Sequence, residues 1–134
     1  METLDDLDVD LIVMFMTTDE EFTAGLPHLL DWRHSGDLAR MKKSGRITGR
    51  ESESVLVARR NGGRGPCDVL LVGVGNGAVR GTEVLDHIAR VQPAITALNV
   101  GRYVAVLPKN AESVADAALD ELNQNGGCVG YFVQ

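Results

Sequence analysis

Apolar residues in this chain occur in short runs separated by polar or glycine-rich stretches. The runs at 9–16 and 68–75 are almost continuous, which is typical of strands buried on both faces. Further strands are predicted at 54–58, 94–100, 103–107 and 128–133. Glycine and proline punctuate the segments between them, with a turn or loop expected at 61–66.

In the remaining segments, apolar residues recur at the spacing of an α-helix. Leu26, Leu29 and Leu30 predict a helix over 26–33, and Asp37 is predicted to cap a second short helix. A third helix is expected over 79–92, with Pro93 as its stop. Asn110 is predicted to cap a fourth, whose single apolar face comprises Val114, Ala115, Ala118, Leu119 and Leu122.

The alternation of strands and helices predicts an α/β fold. We expect a three-layer α/β/α sandwich around a mixed, mostly parallel sheet of about six strands. The close spacing of two predicted strands at Gly101-Arg102 indicates either one antiparallel pair or one broken strand. A chain of 134 residues suits a single domain over 1–134.

Composition restricts the class of protein and its setting. The chain is 44% hydrophobic and 24% charged, as in ordinary soluble globular proteins. Its acidic start has no secretory pattern, and the apolar run ending at Met16 is too short to span a membrane. Cys67 and Cys128 have no CxxC spacing, so reduced thiols are favoured over a disulfide. A cytoplasmic location without membrane contact is the default expectation.

The net charge of −6 is unevenly distributed along the chain. Residues 1–24 contain eight acidic residues and no lysine or arginine, whereas 33–64 contain nine basic residues against three acidic ones. The simplest interpretation is that the acidic segment neutralises the basic one within the fold. Nucleic-acid binding through 33–64 is the competing and disfavoured interpretation, because aromatic residues are not interleaved there and the chain is acidic overall.

The candidate ligand loop lies at the end of the 68–75 strand. Gly73, Gly75, Asn76 and Gly77 are placed for backbone N–H groups to approach a phosphate, and Arg80 offers a bidentate contact. The spacing is GxGxG, which matches neither a dinucleotide-binding fingerprint nor a P-loop. A tight strand-to-helix turn is the favoured interpretation of these glycines.

Other catalytic or metal chemistry has little support in the sequence. His28, His34 and His87 lack the spacing of a helical ligand pair, so we expect no metal and no cofactor. No nucleophile motif surrounds Cys67, and no catalytic residue is assigned. The single tryptophan, Trp32, is expected to belong to the core.

Three short motifs in residues 25–49 carry a family resemblance. They are Asp31-Trp32-Arg33, then Gly36-Asp37-Leu38-Ala39-Arg40, then Gly45-Arg46-Ile47-Thr48-Gly49. Together with the strands around them, they resemble the amino-terminal domain of the leucyl aminopeptidase family M17, over most of residues 9–92. The resemblance implies a macrodomain-like fold and structural roles for these motifs.

The resemblance also implies an absence of peptidase activity. In that family the two-metal peptidase site belongs to a separate carboxy-terminal domain, and its Asn-Thr-Asp-Ala-Glu-Gly-Arg motif has no counterpart here. We therefore expect a stand-alone, non-catalytic homologue that acts through a protein partner or as a homo-oligomer. The alternative is a module for a small phosphate-bearing ligand, such as a nucleotide or ADP-ribose, at Gly73–Gly81. That alternative rests on fold-level analogy with macrodomains.

Overall fold

Five strands form one sheet in the part of the chain that the computed structural model describes: residues 9–58, 67–76, 81–99, 101–108, 111–123 and 127–134. The strands are β1 (Leu11–Thr17), β2 (Ser54–Val57), β3 (Asp68–Gly75), β4 (Tyr103–Leu107) and β5 (Cys128–Val133). Their order across the sheet is β2-β3-β1-β4-β5. All neighbouring pairs are parallel except β2 with β3, so the predicted mixed, mostly parallel sheet is confirmed.

Helices cover both faces of this sheet. They are α1 (Gly25–Arg33), α2 (Asp37–Ser44), α3 (Gly81–Leu98) and α4 (Ala115–Leu122), with a 3₁₀ turn at Glu112–Val114 before α4. Even-numbered residues of β1, such as Ile12 and Met14, pack with α1 and α2, whereas Val13 and Phe15 pack with α3 and α4. Both sets are fully buried, which explains the continuous apolar run and confirms the α/β class.

The sheet has one strand fewer than expected among the described residues. The predicted strand at 94–100 is wrong, because α3 continues through Pro93 to Leu98. Val91, Ile95 and Leu98 recur at helical spacing and pack into the core, so burial favours continuing the helix. Pro93 itself is exposed, and so is Ala89, whose carbonyl loses its helical partner where water reaches it.

Two other local predictions were also wrong. Gly101-Arg102 does not join an antiparallel pair, since it follows α3, and the antiparallel pair is β2 with β3. Asp37 is the first residue of α2 rather than its cap, because Gly36 takes the cap position with a left-handed φ of 79°. The predicted cap Asn110 lies outside the described residues.

The two cysteines lie on opposite sides of the sheet. Cys67 is buried with α1 and α2, whereas Cys128 is buried with α3 and α4. They precede β3 and begin β5, which are separated by two strands, and a disulfide requires Cα atoms within about 7 Å. Burial raises the pKa of the Cys128 thiol, which keeps it protonated and unreactive.

No helix among the described residues is long and apolar enough to cross a bilayer.

Candidate functional site

The carboxyl ends of β1, β3, β4 and β5 share one edge of the sheet, because these strands run parallel. In open α/β sheets, ligands bind at this edge. The predicted ligand loop begins there, at the end of β3. Gly73, Gly75 and Asn76 are described, whereas Gly77 and Arg80 lie outside the described residues.

The chain's own backbone covers the glycines of β3. Gly73 N–H donates to the Glu53 carbonyl at 2.8 Å, and Gly75 N–H donates to the Gly49 carbonyl at 2.9 Å. A Cβ at Gly73 would lie 1.9 Å from the Arg50 carbonyl oxygen. Gly73 is therefore required for close packing of the segment 49–53, and neither of these two amides is available to a phosphate.

Asn76 is held by a neighbouring strand end. Its Oδ1 accepts a hydrogen bond from Thr18 Oγ1, and Thr18 N–H donates to the Gly75 carbonyl at 3.1 Å. Lys42 of α2 donates from Nζ to the Thr18 carbonyl at 2.8 Å. These contacts join the ends of β1 and β3 to α2. The side chain of Asn76 therefore helps to hold the ends of these two strands together.

The segment that covers β3 is stabilised by an internal carboxylate. Glu53 accepts hydrogen bonds from the N–H groups of Thr48 and Gly49, at 2.7 and 2.9 Å, and from Thr48 Oγ1 at 2.8 Å. Partial burial acts to raise the pKa of the Glu53 carboxyl, but these hydrogen bonds outweigh it and lower the pKa below its usual value. Gly49 has a left-handed φ of 82°, and a Cβ there would lie 2.4 Å from the Thr17 carbonyl oxygen.

The motif around Asp31 forms the corner between α1 and α2. Asp31 is buried, and its Oδ1 accepts the N–H of Ala39 at 2.9 Å, in the first turn of α2. This carboxylate caps α2 from the preceding helix, which compensates for the missing side chain of Gly36. Arg40 pairs with Asp37 on the same helix. The three motifs thus have structural roles.

Trp32 lies outside the core, so the prediction that it is a core residue is wrong. Its side chain is 48% exposed, and the Arg33 guanidinium lies 4.9 Å from the ring centroid. Leu30, two residues earlier, faces inward and is 1% exposed. Since two residues on a helix are about 200° apart, Trp32 faces outward.

Two histidines are buried, although no histidine was assigned to the core from the sequence. His34 is 1% exposed and His87 is 4% exposed. His34 Nε2 and His87 Nδ1 have no hydrogen-bond partner among the described residues. Burial lowers the pKa of both imidazoles, assisted at His87 by the nearby Arg90 guanidinium. Among the described residues, no group of three or more His, Cys, Asp or Glu could hold a metal ion.

The fold is that of a macrodomain-like α/β domain. The M. tuberculosis macrodomain of DarG aligns with 98% of this chain and 93% of its own, at a TM-score of 0.68 and 14% identity. The macrodomain of Thermus aquaticus DarG also aligns with 98% of this chain and 93% of its own length, at a TM-score of 0.67 and 14% identity. At such low identity these likenesses establish the fold alone.

The family is established by the sequence comparison. The model of the cytosol aminopeptidase family, N-terminal domain, matches residues 12–124, so the chain belongs to this family through that domain. A leucine aminopeptidase mutant from tomato aligns with 98% of this chain at a TM-score of 0.69 and 16% identity. This chain spans only 31% of the tomato chain. A search of curated protein sequences gave no match.

Replacing Gly73 tests whether the covering segment is structurally required. We expect Gly73→Ala to destabilise the domain by about 3 kcal/mol or more, because the new Cβ would overlap the Arg50 carbonyl. Gly130→Ala is the matched control, since a Cβ there meets nothing within 4 Å, and it should change stability by less than about 1 kcal/mol. Urea unfolding measures both, and equal effects would contradict the packing argument.

The buried histidines predict a fall in stability on mild acidification. The unfolded chain takes up protons near pH 6.5, whereas folded His34 and His87 do so only at lower pH. The stability that the two neutral histidines contribute to the folded state is therefore complete above pH 6.5. It is lost as the pH falls through their lowered folded-state pKa values. Urea unfolding at pH 7.5 and 5.5 measures this, and His34→Leu or His87→Leu should reduce the difference. Equal stability at the two pH values would contradict the prediction.

Proposed function

We propose that this domain is a non-catalytic assembly domain that associates with further copies of itself. The observation that carries the proposal is the opposite charge of its two helical layers. Contacts between complementary charged faces steer association and select its register.

The layer of α1 and α2 is basic. Residues 25–46 contain five lysine or arginine residues and two acidic ones, and one of the acidic pair, Asp31, is buried. Lys43 and Arg46 are exposed at the end of α2. The same layer presents Trp32, an aromatic residue type enriched in protein interfaces. This layer therefore combines positive charge with an exposed apolar side chain.

The layer of α3 and α4 is acidic. These two helices contain five aspartate or glutamate residues and one arginine, Arg90. Asp116 and Asp120 are exposed on α4. Arg90 lies at the edge of the layer, where Nη2 donates to the Gly73 carbonyl at 3.2 Å and Nη1 lies 3.6 Å from Glu51. The outer surface of α4 thus carries acidic side chains.

These layers lie on opposite faces of the sheet, so they cannot neutralise each other within one copy. The basic layer of one copy meets the acidic layer of another only in a head-to-tail arrangement. Such heterologous contacts form a ring when the rotation between copies closes. The charge distribution therefore favours head-to-tail self-association over a two-fold dimer.

The two alternatives have weaker support. A phosphate-bearing ligand at Gly73–Gly81 would lack the amides of Gly73 and Gly75, which the segment 49–53 engages. Nucleic-acid binding would use the basic layer, but the acidic layer and the net charge of −6 oppose it. Both remain alternatives to self-association.

Charge reversal tests the self-association directly. We expect the wild-type chain to form oligomers that dissociate as salt is raised, by sedimentation velocity. The double variant Lys43→Glu with Arg46→Glu, or Asp116→Lys with Asp120→Lys, should each weaken association at least about tenfold. Mixing the two variants should restore association, because each then offers a face complementary to the other.

Lys43→Arg with Arg46→Lys is the matched control, because it changes the same two exposed residues but keeps the charge of the basic layer. This control should associate as the wild type does. A wild-type chain that is monomeric at all salt concentrations would overturn the proposal.

The non-catalytic part of the proposal has its own assay. The purified chain, supplied with Zn²⁺ or Mn²⁺, should release no more product from a leucyl amide substrate than the metal alone. The reason is that the chain matches the N-terminal domain of its family. Hydrolysis that depends on the protein concentration would contradict it.

A further inference from the structure

The strands β1 and β4 separate before they end. Their pairing stops at Met14 with Val106, whereas β1 remains paired with β3 as far as Thr17 with Gly75. The strand β4 continues with β5 to Leu107 and Val133. The carboxyl edge of the sheet therefore contains a fork, defined by Phe15 on one side and Leu107-Pro108 on the other.

Pro108 explains why the pairing stops. If the register continued, Phe15 would lie opposite Leu107, and the carbonyl of Phe15 would accept the N–H of residue 108. Proline has no N–H, so β4 offers the carbonyl of Phe15 no main-chain donor at this position. Phe15 is fully buried, and a buried carbonyl needs another donor.

Gln134 supplies that donor from the far side of β4. Its Nε2 donates to the Phe15 carbonyl at 2.6 Å, and its main-chain N–H donates to the Leu107 carbonyl at 3.1 Å. The side chain of Gln134 thus crosses the fork and fills it with a carboxamide.

The fork coincides with the topological switch point of the sheet. From β1 the chain passes to α1 and α2 on one face, and from β4 it passes to α4 on the other face. The connection from β1 leads toward β2 and β3, whereas the connection from β4 leads toward β5. Adjacent strands whose connections leave on opposite faces and diverge in opposite directions along the sheet create a crevice outside their carboxyl ends, where ligands of open α/β sheets bind. Here that crevice lies at β1 and β4, rather than at the glycines of β3.

We propose that this fork is a binding site for a small ligand with a planar NH₂ group, and that the Gln134 carboxamide occupies it in the ligand's absence. The NH₂ group of the ligand would donate to the Phe15 carbonyl in place of Gln134 Nε2. Binding then requires displacement of the glutamine side chain, so Gln134 sets the affinity. The proposal is independent of self-association through the helical layers.

A planar NH₂ group has two common sources, a free carboxamide or an amino-purine. Nicotinamide represents the first and adenosine the second, whereas inosine carries a carbonyl in place of the adenosine amine. Titration of the full chain with each compound, followed by ¹H–¹⁵N NMR, measures affinity and location together. In the wild type, a binding ligand should shift the Gln134 side-chain NH₂ signals, which are assigned by their loss in Gln134→Ala.

We expect Gln134→Ala to bind nicotinamide or adenosine about 3- to 10-fold more tightly than the wild type, because the competing hydrogen bond is gone. Gln134→Glu should behave similarly, since an ionised carboxylate cannot donate. Gln92→Ala is the matched control: Gln92 Nε2 donates to the Glu121 carbonyl at 2.8 Å, away from the fork. It should bind as the wild type does.

Three results would overturn the proposal. The first is that neither nicotinamide nor adenosine binds the wild type or either Gln134 variant, while circular dichroism shows all of them folded. The second is that a ligand binds Gln134→Ala no more tightly than the wild type. The third is that inosine binds as well as adenosine, while nicotinamide does not bind.

Discussion

The contact between the segment 49–53 and the end of β3 organises the carboxyl edge of the sheet. The Arg50 carbonyl lies so close to Gly73 that no residue with a Cβ atom fits at this position. The same segment accepts the N–H of Gly75 and is held from within by the Glu53 carboxylate. A backbone so placed extends the antiparallel pairing of β2 with β3 to residues before Ser54, and it satisfies main-chain N–H groups at the end of β3.

At Gly73 and Gly75 this arrangement differs from a glycine-loop phosphate site. In a phosphate loop, glycine lets a ligand approach the backbone; here it lets another part of the chain approach. The motifs that mark the family have the same character. Asp31 caps α2, and Thr48 and Gly49 bind Glu53. They specify the corner between α1 and α2 and the segment that covers β3.

With β3 covered, another acceptor of this edge, the carbonyl of Phe15, is satisfied by a side chain. Gln134, which follows β5, donates to it from far away in the sequence, because Pro108 after β4 has no N–H to offer. The outer surfaces add a second feature, since the basic and acidic layers are held apart by the sheet between them. Both features arise from the order in which the strands are arranged.

Most of the secondary structure was predictable from local pattern. The positions of β3 and β4 follow directly from apolar runs, because strands buried on both faces are almost entirely apolar. The exception, 94–100, is a short apolar stretch after a proline, where helix and strand patterns resemble each other. Only the packing of Ile95 against the sheet decides for the helix. Trp32 was misplaced for a related reason, since apolar character alone does not indicate which side of a short helix faces inward.

By itself, then, the sequence determined the fold class, the family and the uneven charge, because these depend on pattern and composition along the chain. The tertiary structure decided which groups meet. No local pattern encodes a contact between residues that are distant in the sequence. The packing of Gly73 against Arg50 is one such contact, and the hydrogen bond from Gln134 to Phe15 is another. Pro108 illustrates the division: its missing N–H is evident in the sequence, but the carbonyl that loses a partner is identified only by the register of β1 and β4.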